Sequence, residues 1–187
     1  MKVCIIGDIH WSTYSSIVRS RSNHFSIRLE YLINSLNWVE MISKEYGCEE
    51  EIFLGDFFDK PDLTSEEITA LSEVKWNNST RIKHFVVGNH ESGVASLVYN
   101  STQILHGLGS IEDEPYIYPA AKDTSFLFLP YITEDNRKSL SEYIKERYPD
   151  TKLIVFSHND IKDFQMGAFL SKTGFEISDI EKIVIYI

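Results

Sequence analysis

The chain has 187 residues, 43% of them hydrophobic and 13% aromatic, which is enough for a real core and excludes a disordered chain. Its formal net charge of −10 argues against a broad basic face that grips nucleic acid unaided, so either the substrate is small or bound ions and a partner supply positive charge. The two cysteines, Cys4 and Cys48, form no CxxC pair and read as reduced thiols of a cytoplasmic protein. The start, MKVCIIGD, lacks the organisation of a signal peptide, and no apolar run reaches membrane-spanning length.

Residues 2–7 are a short apolar run and predict a buried strand. Residues 27–46 space Ile27, Tyr31, Ile33, Leu36, Val39, Ile42 and Tyr46 near a helical period, with Tyr31, Leu36 and Val39 expected in the core. Ile52–Leu54 predicts a second strand that ends at Gly55, and Ser65–Trp76 a helix opened by Thr64 or Ser65 with glutamates in its first turn. Ile82–Val87 predicts a third strand. Residues 103–129 alternate like a β-meander broken at Pro115, Pro119 and Pro130. Thr133–Tyr148 predicts a helix capped by Thr133, Leu153–Phe156 a strand that runs into Ser157 and His158, and Ile183–Ile187 a last strand. Strand–helix–strand units with hairpins between them predict one layered α/β domain over residues 1–187, a two-sheet sandwich flanked by helices.

Four segments share one design, an apolar strand followed by polar, metal-ligating side chains. They are Gly7-Asp8-Ile9-His10, Gly55-Asp56-Phe57-Phe58-Asp59, Gly88-Asn89-His90-Glu91 and Ser157-His158-Asn159-Asp160. Ligands at strand ends sit on rigid supports and are expected to converge at one rim of the sheet. Carboxylate and amide oxygens with neutral imidazoles suit borderline divalent ions. Two such ions clamp a phosphate and acidify a water, which removes the need for a protein nucleophile. No Ser/His/Asp or Cys/His nucleophile pattern competes with this reading.

In this order DxH, GDxxD, GNHE and a later strand-end histidine resemble the calcineurin-like metallophosphoesterase superfamily over nearly the whole chain. The resemblance implies the metallophosphoesterase sandwich and two divalent metal ions, manganese first, with iron, zinc or magnesium as alternatives. It implies that Asp8 and His10 ligate the first ion, Asp56 bridges both, and Asn89 and His158 ligate the second. His90, not a ligand, would face the scissile phosphate and protonate the leaving oxygen. GDFFDKPD at residues 55–62, and a long helix after an arginine-containing loop, are most similar to the SbcD-type DNA repair nucleases. Protein Ser/Thr phosphatases read GDxVDRG where this chain has Asp59-Lys60-Pro61. The implied activity is phosphodiester hydrolysis in DNA, beside an SbcC-like coiled-coil ATPase partner. Arg19, Arg21 and Arg28 are candidate phosphate contacts, Asp59 a residue that orients a neighbour, and His24, His84 and His106 packing or surface residues.

The superfamily's later GHxH motif has no counterpart here: none of the six histidines follows His158. The expectation is a domain cut before its last motif. Truncation, a second chain that supplies the GHxH segment, and a degenerate non-catalytic subunit with a binding role are the competing explanations. A phosphomonoesterase acting on a small molecule or protein is the alternative activity.

Overall fold

The structure, a computed structural model, describes residues 1–14, 24–78, 80–94, 96–145, 152–180 and 185–186. They fall into two compact units, Met1–Ile111 and Glu112–Ile187.

The first unit runs β1 (Val3–Ile6), α1 (Ile27–Glu45), β2 (Glu50–Phe53), α2 (Ser65–Leu71), a 3-10 turn at Lys75–Asn78, β3 (Ile82–Val86), the hairpin β4 (Ser92–Val94) and β5 (Ser96–Asn100), and β6 (Ser110–Glu112). The sheet order is β1-β2-β3-β6, and β1, β2 and β3 are parallel, Ile6 opposite Phe53 and Phe53 opposite Phe85. Parallel neighbours need crossovers, which α1 and α2 provide. All three strands therefore end on the same side, and their carboxyl-end loops are the first three motifs. The core joins Leu29 and Leu36 of α1, Ala70 and Leu71 of α2, and Ile6, Phe53 and Phe85 of the sheet. Phe53 stacks on Phe85 with centroids 4.7 Å apart, and Phe57 on Trp76 at 5.7 Å.

Sequence and structure differ at particular places. Tyr31 of α1 is exposed; the inward face is set by Leu29, Leu36 and the partly buried Leu32, Ile33 and Val39. The second strand begins two residues before its expected start because Glu50 and Glu51 are buried in it. Glu51 Oε2 lies 2.9 Å from Lys83 Nζ and Glu51 Oε1 2.7 Å from Arg81 Nε, and Glu40 of α1 closes the network against both cations. Burial alone would push the Glu51 carboxyl up; Lys83, then Ser43 and Arg81, outweigh it and hold the group below its ordinary range. The helix expected to reach Trp76 ends at Leu71. The hairpin β4–β5 was not expected.

Glu67 shows how α2 supports the site. Thr64 and Glu67 form a capping box, each side chain bonding the other's backbone N–H. The same carboxylate accepts from Thr13 N at 2.8 Å, and Trp11 Nε1 donates to Glu67 O at 3.0 Å. The helix start thus fixes the segment that leaves the first motif. Burial raises the Glu67 carboxyl, but hydrogen bonds from Thr64 and Thr13 outweigh it and lower the group below its ordinary 4.5. The unfolded chain then binds this proton more readily than the folded one. The contribution is full above the ordinary value and is lost as pH falls through the lower folded value. Glu67→Gln is therefore expected to lower stability by about 1–3 kcal/mol near neutral pH. Chemical denaturation of both proteins should show the difference shrinking below the ordinary carboxyl value; a difference that grew on acidification would contradict this assignment.

The second unit contains β7 (Tyr116–Ala121), β8 (Thr124–Leu129), α3 (Leu140–Lys145), β9 (Lys152–Ser157), the short ribbon β10 (Gln165–Met166) and β11 (Phe169–Leu170), α4 (Ile177–Ile180) and β12 (Ile185–Tyr186). Its sheet order is β12-β9-β8-β7, with β8, β9 and β12 parallel and β7 antiparallel. Leu127, Leu129, Ile132, Leu140, Leu153, Val155 and Phe175 form its core. Pro119 does not end a strand. It lies within β7, at the sheet edge, where the register with β8 shifts and no ladder donor is needed. Residues 101–105 are a 3-10 turn, not meander. The helix expected from Thr133 is broken: residues 134–136 form a 3-10 turn, Arg137 is extended, and α3 starts only at Leu140. Ser139 opens it, its N–H donating to Glu142 Oε2 at 2.9 Å. Of the last predicted strand, Ile185 and Tyr186 are seen in β12, while 183, 184 and 187 lie outside the described residues. Two sheets with their helices make a mixed α/β protein, as expected. Three of the motifs end strands of the first sheet, and the fourth ends β9 of the second.

Candidate metal centre

Asp8, His10 and Asp56 all adopt left-handed backbone conformations, with φ of 47°, 48° and 47°. Non-glycine residues rarely sit there, and such strain persists only where the surroundings over-determine it; it concentrates at functional sites. Here the motif loops brace one another. His10 N donates to Asp56 O at 2.9 Å and Trp11 N to Phe57 O at 2.7 Å, so the chain beyond β1 pairs again with the chain beyond β2. Trp11, Phe57 and Phe58 are fully buried beneath these loops and hold them on the core.

Asp56 is the hub. It is 5% exposed, and its Oδ1 accepts from His90 N at 3.1 Å. Its Oδ2 lies 4.0 Å from His10 Nε2 and 3.8 Å from His90 Nε2. The rings of His10 and His90 meet edge to face at 4.8 Å. Asp59 serves both: its Oδ1 lies 3.2 Å from His10 Nδ1, and its carbonyl oxygen 3.1 Å from His90 Nδ1. A carbonyl only accepts, so His90 carries a hydrogen on Nδ1 and turns Nε2 toward Asp56. Asp59 thus lies against both rings.

His10, Asp56 and His90 each offer a donor atom within 4.8 Å of the others. Imidazole nitrogen with carboxylate oxygen is the mixture that suits a borderline divalent ion, so His10 and Asp56 fit a metal with His90 beside them. His90 was expected beside the ions and not among their ligands; the structure places it in the same cluster as His10 and Asp56. Asp8 is exposed at the end of β1, and Asn89 is exposed in the turn after β3. His158 follows β9 in the second unit, its N–H donating to Leu129 O at 3.1 Å. Asn159 fixes the chain just beyond it, accepting from Ile132 N at 2.8 Å and donating to Pro130 O at 2.7 Å. Arg19 and Arg21 lie outside the described residues; Arg28 is in the first turn of α1. His84 is buried, and His24 and His106 are exposed.

Glu91 has a role that the sequence reading missed. It is fully buried, and its carboxylate takes three backbone donors: Phe58 N at 2.8 Å, Gly88 N at 2.8 Å and Asp56 N at 3.2 Å. It ties the second motif to the third. Gly88 allows this approach, since a Cβ there would lie 2.2 Å from Asp56 Oδ1 and 2.4 Å from Asp56 N. The signal available in the sequence was its place at the end of the third motif, directly after Asn89-His90.

Parallel strands thus deliver carboxylate and imidazole to one sheet edge, the donor chemistry that a borderline divalent ion takes. Residues 1–182 match the calcineurin-like phosphoesterases, and the chain belongs to that family. Among solved structures it is similar to a dimetal phosphatase from Danio rerio, with 18% identity and a TM-score of 0.43, over 77% of this chain and 49% of that one. The chain thus spans about half the length of that protein. No curated protein matches it. Among the described residues no helix is long and apolar enough to cross a membrane.

Proposed function

We propose that the chain is a dinuclear-metal phosphodiesterase of SbcD type that acts on DNA in the cytoplasm beside an SbcC-like ATPase. The observation that carries the reaction class is the set of three motif loops at the carboxyl ends of β1, β2 and β3, braced with Asp8, His10 and Asp56 in strained backbone. In this reading Asp8 and His10 hold one ion, Asn89 and His158 the other, and Asp56 is shared, within one domain over residues 1–187. When bound, the ions supply the charge that polarises a phosphate and acidifies a water. Manganese is the proposed metal.

The chain's own residues do the rest. Asp59 lies against the His10 ring, and Glu91 fixes the backbone that carries Asp56. His90, with Nδ1 committed to the Asp59 carbonyl, has Nε2 to carry a second proton and pass it to the leaving oxygen. Its side chain is 40% exposed, so a substrate can reach it. Preference for a diester rests on residues 55–62 and on Lys60. Its ammonium lies 3.2 Å from Glu67, committed to the cap of α2 rather than free to receive a phosphate dianion. Arg19, Arg21 and Arg28 are proposed phosphate contacts.

The test is manganese-dependent hydrolysis of a DNA end, a bis-aryl phosphodiester and an aryl phosphomonoester. Diesters are expected to be preferred. His90→Ala should lower the rate by about 10²–10⁴-fold, the usual scale of general acid catalysis. Preference for the monoester would favour a phosphatase, and an unchanged rate in His90→Ala would remove the acid role.

A further inference from the structure

We infer that Arg28 is a positioning residue of the metal centre, acting through the backbone of His10. The inference rests on the proposed metal site, and it gives Arg28 a role besides phosphate contact. Arg28 Nη2 donates to His10 O at 2.8 Å, across the loop between the first motif and α1. On the other side of the same residue, His10 N donates to Asp56 O at 2.9 Å. Both peptide groups that flank the His10 side chain are therefore anchored to other elements. His10 stands at φ 48°, a conformation that a non-glycine residue keeps only when its surroundings hold it there.

The anchor is itself well founded. Arg28 lies in the first turn of α1, whose cap Ser26 accepts from Leu29 N at 3.3 Å. Ser26 N donates to Glu66 Oε1 in the first turn of α2 at 2.8 Å. Leu29, the next residue, is fully buried. Arg28 Nε is buried as well, so the guanidinium is set into the protein rather than swinging in solvent. A rigid planar fork on a docked helix start places its Nη2 with little freedom, which an ammonium on a flexible stem cannot match. The consequence falls on the His10 ring. Asp59 Oδ1 lies 3.2 Å from its Nδ1, and the backbone held by Arg28 sets the Cα from which the ring projects. Outer residues of this kind orient a ligand before the ion arrives.

The experiment is Mn²⁺ binding to the intact metal-free chain by calorimetric titration, for wild type, Arg28→Ala and Arg28→Lys, with KM and kcat for a bis-aryl phosphodiester measured at saturating Mn²⁺. A positioning role predicts an Mn²⁺ Kd raised by about 10–100-fold in Arg28→Ala, the usual scale for outer partners of metal ligands, and partly restored in Arg28→Lys. KM at saturating metal reads the proposed phosphate contact separately, so a rise in KM beside the raised Kd leaves the positioning role standing. An unchanged Mn²⁺ Kd with a raised KM would make Arg28 a substrate contact only and overturn the inference. If Arg28→Ala does not fold, Arg28→Lys decides by the same comparison: an Mn²⁺ Kd equal to wild type overturns the inference, and a raised one supports it. The Mn²⁺ readout does not depend on which ester is cleaved, so a wild type that binds the ion but spares diesters would sink the proposed substrate and leave the inference standing.

Discussion

Asp56→Asn is expected to lower phosphoester hydrolysis by roughly 10³-fold, because a ligand that helps hold the ions supports several kcal/mol of transition-state charge stabilisation at about 1.4 kcal/mol per decade. The substitution keeps the side chain's shape and its acceptor oxygen for His90 N. It removes the negative charge from the buried carboxylate whose Oδ2 approaches Nε2 of both His10 and His90. The fold should therefore survive while ion binding does not. Two measurements separate these effects: Mn²⁺ titration, expected to show a large loss of affinity, and thermal unfolding of the metal-free chain, expected to change little. With the ions absent, a buried negative charge beside two histidines helps little, so the metal-free variant need not be less stable than wild type. Hydrolysis within tenfold of wild type would remove Asp56 from the centre.

The second large effect belongs to Glu91, and it is on stability. Glu91→Ala strands three buried backbone donors, those of Asp56, Phe58 and Gly88. Each unsatisfied donor costs about 1–3 kcal/mol, and bonds to a charged acceptor lie at the upper end, so a loss of about 4 kcal/mol is expected. Glu91→Gln keeps the volume but offers one acceptor where the carboxylate has two. It should lose about 2 kcal/mol, since either Phe58 N or the pair Gly88 N and Asp56 N goes unserved. Denaturant unfolding of the metal-free chain measures this directly. If both variants fell within about 0.5 kcal/mol of wild type, as ordinary surface substitutions do, the tie between the second and third motifs would be of no consequence.

Why Glu91 was silent in the sequence explains much of what was legible and what was not. The residues with visible chemistry, Asp8, His10, Asp56, Asn89, His90 and His158, announce themselves because strand-end polar clusters after apolar runs have few structural explanations. The structure puts each of them at such an end. It brings His10, Asp56 and His90 into one cluster. Glu91 and Arg28 act on backbone groups of distant residues, and the sequence carries no record of which carbonyl or amide a side chain will reach. Strand–helix alternation was legible because apolar spacing marks the middle of α1 and of the three parallel strands, if not their ends.

Errors arose where polar residues are buried or where local geometry overrides pattern. Glu50 and Glu51 looked like a loop before β2, because a carboxylate pays for burial only through partners such as Lys83 and Arg81 that lie on other elements. Tyr31 fits a helical period yet is exposed, while Leu29 and Leu36 take the inward face. Pro119 read as a break because proline cannot donate to a ladder, yet an edge strand at a register shift needs no donor from it. The interval from Thr133 read as one helix, but Arg137 turns its guanidinium back onto Ile132 O at 2.7 Å and the chain there is extended.

The measurement that bears most directly on the account is the rate of phosphodiester hydrolysis by the intact chain before chelation, after it, and with Mn²⁺ restored, run in parallel on Asp56→Asn. The account predicts hydrolysis that chelation abolishes, that Mn²⁺ returns in the wild type, and that Mn²⁺ does not return in the variant. Hydrolysis that ignored chelation, or that Mn²⁺ restored equally in Asp56→Asn, would contradict a metal-dependent reaction centred on this carboxylate.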